Sequence, residues 1–450
     1  MNKLFLSKVY LNKYFLICIS LFLFSFICFD FKSAYFNIGV SLTNFIIVLI
    51  SIFEIFKLDK KPFSLNKMFF LFVFFFLGLA PIIQFNSGVY IWGGYLNSSD
   101  YLRTNLVIIL ILFLYLFIYR IGVKIKKYKI KGIKSSQGDF YYDSKSILII
   151  SLSAVIAVLV FFKGNIIALV LRGSYTDYPL IVNLIFNYFI RPIPVLCLII
   201  YKLGAVKKIR YEFLLLFFVL FATFPTSMPR LQIASLYIPL LFIYVKALKR
   251  DFVFVFVIIF AVLFAFPFFN IFRSQYIQIL NDGNLVFFDS KMFCKGHFDN
   301  YQNFARVLKY DLVTYGDQFL GVFFFFIPRS IWPDKPVNSG ILIYEKFNLY
   351  FDNISVNYFA EGYLNFGYFG VILFLVILAL INSRMDKMFW VTNKGDFGRN
   401  IKFSCYYLGL LGMLFFILRG ALMGAYPIAL GFFCSAYFVF FLLRLKIFQT

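Results

Sequence analysis

Runs of about twenty apolar residues recur along the whole chain, separated by short polar clusters. That is the length a helix needs to cross roughly 30 Å of hydrocarbon. The pattern predicts an all-α integral membrane fold with about twelve transmembrane helices, at 14–29, 36–56, 67–85, 104–122, 146–163, 180–201, 211–224, 231–247, 252–270, 364–382, 402–418 and 425–444. The runs 211–224 and 231–247 are the shortest signals, with Pro225 and Pro229 between them. A re-entrant hairpin there would lower the count to ten and leave the sidedness unchanged.

The runs are unevenly spaced. Nine fall in residues 1–270 and three in 364–450, and between the ninth and tenth lies a loop of about 90 residues, 271–363. Loops this long in compact proteins tend to be functional or disordered. This one is rich in aromatics and holds an apolar stretch, 319–327, too short to cross a membrane. It reads as an interfacial or re-entrant helix ended by Pro328.

Composition removes the soluble alternative. With 62% hydrophobic and 14% charged residues, the chain lacks the polar surface a soluble protein of 450 residues would need. Aromatics at 23% suit lipid-facing helices and interfacial belts. With the amino terminus inside, the inner segments hold 29 Lys and Arg, the short outer segments 7 and the long loop 8. This bias places both termini in the cytoplasm and the long loop outside. The net charge of +24 is then mostly a rim facing anionic membrane lipid, and binding of nucleic acid is not needed to explain it. Five of the six cysteines fall within spans and only Cys294 in the outer loop, so no disulfide framework is expected. The first apolar run has no small-residue cleavage site, so no cleavable signal peptide is expected. The lack of an internal repeat weakens a secondary-transporter reading.

Several catalytic signatures are missing: there is no phosphate-binding Gly-rich loop, no His-Glu-x-x-His, and no Asp-x-Asp pair. One histidine, His297, cannot build a multi-histidine metal site, so chemistry without metal or cofactor is the expectation. Arginine is concentrated on the outer side, with 8 of 15 basic residues there against 6 of 29 inside. A guanidinium fork grips phosphate at two points and stays charged when buried. Arg191, about ten residues into a span and followed by Pro192, is costly unless it faces a polar cavity. Arg191, Arg230 and Arg273 are therefore candidate contacts for an anionic, lipid-linked substrate, with a diphosphate as the natural ligand. Arg103, Arg172 and Arg306 fit the plainer reading of side chains that snorkel to headgroups. Glu54 reads as a partner of Lys57 near the inner face.

The stretch Phe-Ile-Pro-Arg-Ser-Ile-Trp-Pro-Asp-Lys-Pro (326–336), then Gly340, then Asn353-Ile-Ser, then Ala-Glu-Gly-Tyr-Leu-Asn-Phe-Gly-Tyr-Phe-Gly (360–370) resembles the O-antigen polymerases, the Wzy group. Gly296-His-Phe-Asp-Asn-Tyr (296–301) and Tyr315-Gly-Asp-Gln (315–318) also fit members of that group, as does the layout of about twelve spans with one large late loop. The resemblance implies a multi-pass protein of the bacterial inner membrane with a periplasmic active site. It implies transfer of a growing glycan from undecaprenyl diphosphate onto the terminal sugar of a new lipid-linked repeat unit, so donor and acceptor are both undecaprenyl-diphosphate-linked oligosaccharides. A chain-length regulator is an expected partner by the same analogy. Arg329 would contact diphosphate or sugar, with Lys335 beside it.

Glu361, at the outer end of the tenth span, is the candidate general base or acceptor-orienting group, with an ion pair to a loop arginine as its plain alternative. His297 is a second candidate base, and Trp332 could stack on sugar or simply shape the loop. Two other functions share the location and the anionic ligand: a flippase or exporter of lipid-linked oligosaccharide, and an O-antigen ligase. The flippase would more often show repeated halves and short loops. The ligases use a histidine in a loop motif that this chain lacks.

Overall fold

The computed structural model describes residues 3–57, 61–124, 142–170, 178–204, 208–250, 252–265 and 290–445. These residues are helical, with no strand among them. The principal helices are α1 (Lys3–Cys28), α2 (Ile38–Ile55), α3 (Leu65–Asn86), α4 (Ser98–Lys124), α5 (Ser144–Phe161), α6 (Leu180–Gly204), α7 (Ile209–Ala222), α8 (Arg230–Tyr244), α9 (Val253–Phe260), α10 (Asn300–Lys309), α11 (Asp317–Phe323), α12 (Ser339–Phe347), α13 (Tyr358–Lys387), α14 (Ile401–Arg419) and α15 (Leu422–Leu442).

Each of the twelve apolar runs coincides with a helix, and eight of these are long and apolar enough to cross a membrane: α2 to α6 and α13 to α15. The other four are shorter. The apolar part of α1 is Ile17–Cys28, α8 contributes Gln232–Tyr244, α9 continues only through a π-helical segment to Ala265 within the described residues, and α7 has 14 residues.

Helix surfaces show which solvent the fold is built for. On α4 the exposed positions are Leu106, Leu110, Phe113, Phe117 and Ile121, one stripe at helical spacing, while Thr104, Asn105, Tyr115 and Tyr119 point inward. Polar inside and apolar outside is the pattern of a helix bathed in lipid, where the interior is the only place a polar side chain finds a partner. Asn105 donates to the Val40 carbonyl at 3.3 Å and to the Thr43 hydroxyl at 3.0 Å, so it ties α4 to α2. Helix α3 is apolar all round and almost wholly buried, as a central helix should be. In its π-helical segment Val73–Leu79 the Gly78 carbonyl accepts from Asn44 at 3.0 Å.

At one end of the bundle Glu54 accepts from Lys57 at 3.3 Å, the expected pair, and also from Arg120 at 2.9 Å and Asn66 at 3.2 Å. The described part of the long loop lies at the other end. Its first helix does not ride on the surface: α10 is sunk into the bundle, buried from Asn300 to Leu308. The expected helix over 319–327 is shorter and begins earlier, as α11, because the chain leaves helical geometry at Phe324 before reaching Pro328.

Helix α13 is broken. Phe366 and Gly367 are non-helical, with Gly367 at φ 59°, ψ −147°, which favours glycine. The freed Leu364 carbonyl accepts from the Thr314 backbone N–H at 2.6 Å and hydroxyl at 2.9 Å, and the Asn365 side chain accepts from Phe319 N–H at 2.7 Å. Gly362 packs so closely on Gly370 that a Cβ would lie 2.7 Å from the Gly370 carbonyl oxygen. The glycine-spaced motif 360–370 is thus a hinged helix start, and its short first arm carries Glu361.

Candidate functional site

The first turn of α13 is anchored by Asn357, whose side chain accepts from the backbone N–H groups of Phe359 and Ala360. One residue on, Glu361 is fully buried. Its Oε2 accepts from the Ser339 hydroxyl at 2.9 Å and its Oε1 from the Leu422 backbone N–H at 3.0 Å. Both partners are neutral, and no cation among the described residues pairs with it. Among the described residues no loop arginine pairs with it, while Arg172, Arg273 and the side chain of Arg230 lie outside them. The carboxylate joins three elements, α13, the start of α12 and the start of α15. A buried charge held only by neutral donors is expensive.

The outer side of this junction is a cavity of about 290 Å³, lined by Leu180, Ile327, Arg329, Lys335, Asn338 and Met423 among others. Asn338 and Met423 are the chain neighbours of Ser339 and Leu422, so the cavity wall is one residue removed from each partner of Glu361. Arg329 is exposed and donates to the Pro333 and Pro336 carbonyls at 3.3 and 3.4 Å. Lys335 donates to the Phe325 carbonyl at 2.6 Å and to the Ile327 carbonyl at 3.0 Å. Burial, and then the neighbouring Arg329, hold its pKa below the usual lysine value. Neither cation pairs with a carboxylate among the described residues. Two like charges facing one cavity without an acidic partner favour an anionic ligand there. Trp332 lies in the same turn but does not line the cavity; its backbone N–H caps the Pro328 carbonyl at 3.1 Å.

The remaining candidates lie elsewhere. Half-buried His297 is not in the cavity lining; its carbonyl accepts from Arg419 at 3.1 Å, which ties it to the end of α14. Arg191 is buried and donates to the Ala222 carbonyl and the Ser227 hydroxyl, both at 2.7 Å, and to Asn187 at 3.3 Å. It follows a π-helical segment, Ile185–Ile190, as expected for a loosened helix. Leu180 of the same helix lines the cavity, but Arg191 is about 16 Å further along by helical rise. The structure does not bring it to Arg329. Arg273 and Arg172 lie outside the described residues, and Arg230 begins α8 with its side chain outside them. Two arginines assigned to snorkelling do something else. Arg103 pairs with Asp311 at 3.0 Å, and Arg306 is buried.

Sequence reasoning gave no role to the polar run on and before α10. Asp299 Oδ2 accepts from Trp92 Nε1 at 2.8 Å and Ser355 N–H at 3.0 Å. Asn300 donates to the Arg419 carbonyl at 2.8 Å and Asn303 to the Ser355 carbonyl at 2.7 Å. Gln302 accepts from Ile91 N–H and donates to the Val89 carbonyl, each at 2.8 Å. The available signal was an Asp-Asn-Tyr-Gln-Asn run inside an otherwise aromatic loop. Side chains that both donate and accept are the ones that can close a buried network.

Searches against family models, curated proteins and solved structures each found no match to this chain. The family resemblance thus rests on the loop motifs and the layout alone.

Proposed function

We propose that the chain is a membrane-embedded glycosyltransferase of the O-antigen polymerase type. It moves a growing glycan from undecaprenyl diphosphate onto the terminal sugar of a new lipid-linked repeat unit. In this reading all twelve apolar runs are spans, both termini are cytoplasmic, and the cavity end of the bundle faces the periplasm of a bacterial inner membrane. The observation that carries it is the convergence of the separated motifs 326–336 and 360–370 on one place, a cation-lined cavity against a buried glutamate.

An acceptor hydroxyl attacks the anomeric carbon of the donor, the bond from that carbon to the diphosphate oxygen breaks, and undecaprenyl diphosphate leaves with the electron pair. Arg329 and the free N–H of Lys335 stabilise the negative charge that develops on the leaving group, a strong effect where water is excluded. The hydroxyl proton passes to Glu361 by way of Ser339, whose hydroxyl donates to the carboxylate. Arg191, Arg230 and Arg273 fall to the lipid-diphosphate path in this reading, and a chain-length regulator is the expected partner.

The first test is the lipopolysaccharide banding pattern of the host with the gene deleted and then restored. A ladder that collapses to core plus a single repeat unit supports polymerisation. Core with nothing attached favours a ligase or flippase, and an unchanged ladder removes the proposal. Restoration with Arg329→Ala should leave the single-repeat pattern at normal protein level; a full ladder would take Arg329 out of the site.

A further inference from the structure

A second cavity, of about 450 Å³, opens at the same end of the bundle and is lined by Gly94, Tyr95, Arg306, Tyr310, Lys346 and Phe347 among others. It shares no lining residue with the first. The two flank α12: Asn338 and Ile341 line the first near its start, and Lys346 and Phe347 line the second at its end, roughly 12 Å apart by helical rise.

Its innermost group is Arg306, 1% exposed. One terminal nitrogen donates to Asn303 Oδ1 at 2.6 Å, and the other to the Ile91 carbonyl at 2.6 Å and the Gly93 carbonyl. These bonds use three of the five N–H donors of a guanidinium. The Nε atom is buried and has no partner. It faces Gly94: a Cβ on that glycine, which sits at φ +71°, would lie 3.4 Å from it. A buried donor left open beside a cavity wall is costly in an empty site and well placed in a filled one.

The rest of the wall suits one class of ligand. Lys346 is exposed in the last turn of α12 and pairs with no carboxylate among the described residues, whereas Lys309 nearby is already engaged with Asp100 at 2.9 Å. The Tyr310 and Phe347 rings pack 4.7 Å apart and, with Tyr95, form an apolar wall beside the two cations. Small-ligand sites are typically pockets of about 300–1,000 Å³ that combine such walls with a few fixed polar groups.

We propose that this cavity binds an acidic sugar. Arg306 and Lys346 take its anionic group, and Tyr95, Tyr310 and Phe347 pack on the apolar face of its ring. The site is defined by recognition alone and does not rest on the transfer reaction, since a carrier of acidic oligosaccharide would use it equally.

The test is saturation-transfer NMR on the full-length protein in detergent, with D-glucuronate and D-glucose as probes. Transfer to glucuronate at least several-fold above glucose is expected, falling at least about five-fold in Lys346→Gln and persisting in Arg329→Ala. Arg306→Met should abolish it, but Arg306 also ties down the 91–93 turn, so the exposed Lys346 is the decisive position. Equal transfer to both sugars, undiminished transfer in Lys346→Gln, or loss only in Arg329→Ala overturns the proposal. So does full displacement by equimolar inorganic phosphate, because the cavity would then read charge without the ring. The glycan ladder is not involved, so failure here is distinct from failure of the polymerase reading.

Discussion

Residues 299–309 and 326–336 belong to the same predicted loop, and each carries one arginine and one lysine. The first is sealed inside the bundle and the second lies open at its surface. The difference comes from the residues around the cations. Gln302 and Asn303 both donate and accept, and Asn300 donates, so α10 can bury its polar side chains against neighbouring elements. In the second segment Pro328, Pro333 and Pro336 prevent a continuous helix and leave the Phe325, Ile327, Pro333 and Pro336 carbonyls open to side-chain donors. Arg329 and Lys335 supply those donors. Arg306 spends three of its five N–H donors on structure and keeps only the rest for a ligand, whereas Arg329, with bonds of 3.3 and 3.4 Å at the surface, can exchange both.

The sharpest way to break this comparison is at the junction behind the open segment. Glu361→Gln keeps an oxygen for the Leu422 N–H and a polar partner for Ser339 but cannot take a proton. Long-glycan synthesis should fall by about 10²–10⁴-fold, the usual worth of a general base, with thermal unfolding in detergent unchanged. A full ladder from this variant would leave the glutamate as a positioning residue for α12 and α15. Next in size is the sealed segment. Asp299→Ala leaves Trp92 Nε1 and the Ser355 N–H without their acceptor, and should cost about 3 kcal/mol of stability. Arg329→Ala should change stability by no more than about 0.5 kcal/mol. Equal losses from the two would erase the distinction between interior and surface cations.

The contrast also shows what was legible beforehand. The helices were, because a lipid-exposed stripe such as Leu106, Leu110, Phe113 and Phe117 can only be read one way. The two motifs were visible but not their junction, since nothing in their spacing shows that Ser339, next to the Arg329 cavity, meets Glu361. The depth of α10 was not legible at all. Its low hydropathy reads as solvated loop, and only the matching of Asp299, Asn300 and Asn303 to carbonyls and N–H groups 50 to 120 residues away makes burial favourable. Arg306 was misjudged for the same reason: its partners, the Ile91 and Gly93 carbonyls, lie in a turn remote in sequence.

The smallest expected effect on the glycan tests whether the open segment still depends on its cations for shape. Lys335→Met keeps the apolar stem and removes two hydrogen bonds, to the Phe325 and Ile327 carbonyls. Those carbonyls are near the surface and water can replace the ammonium, so the cost in stability should be about 1 kcal/mol, well below that of Asp299→Ala. Chain length should shorten without collapsing to a single repeat, because Arg329 retains its charge and its fork. Thermal unfolding and the glycan ladder of the same variant separate the two effects. Loss of the ladder with normal stability would make Lys335 an equal partner of Arg329 at the leaving group. A stability loss matching Asp299→Ala would mean that the turn 326–336 is as much a part of the folded core as α10.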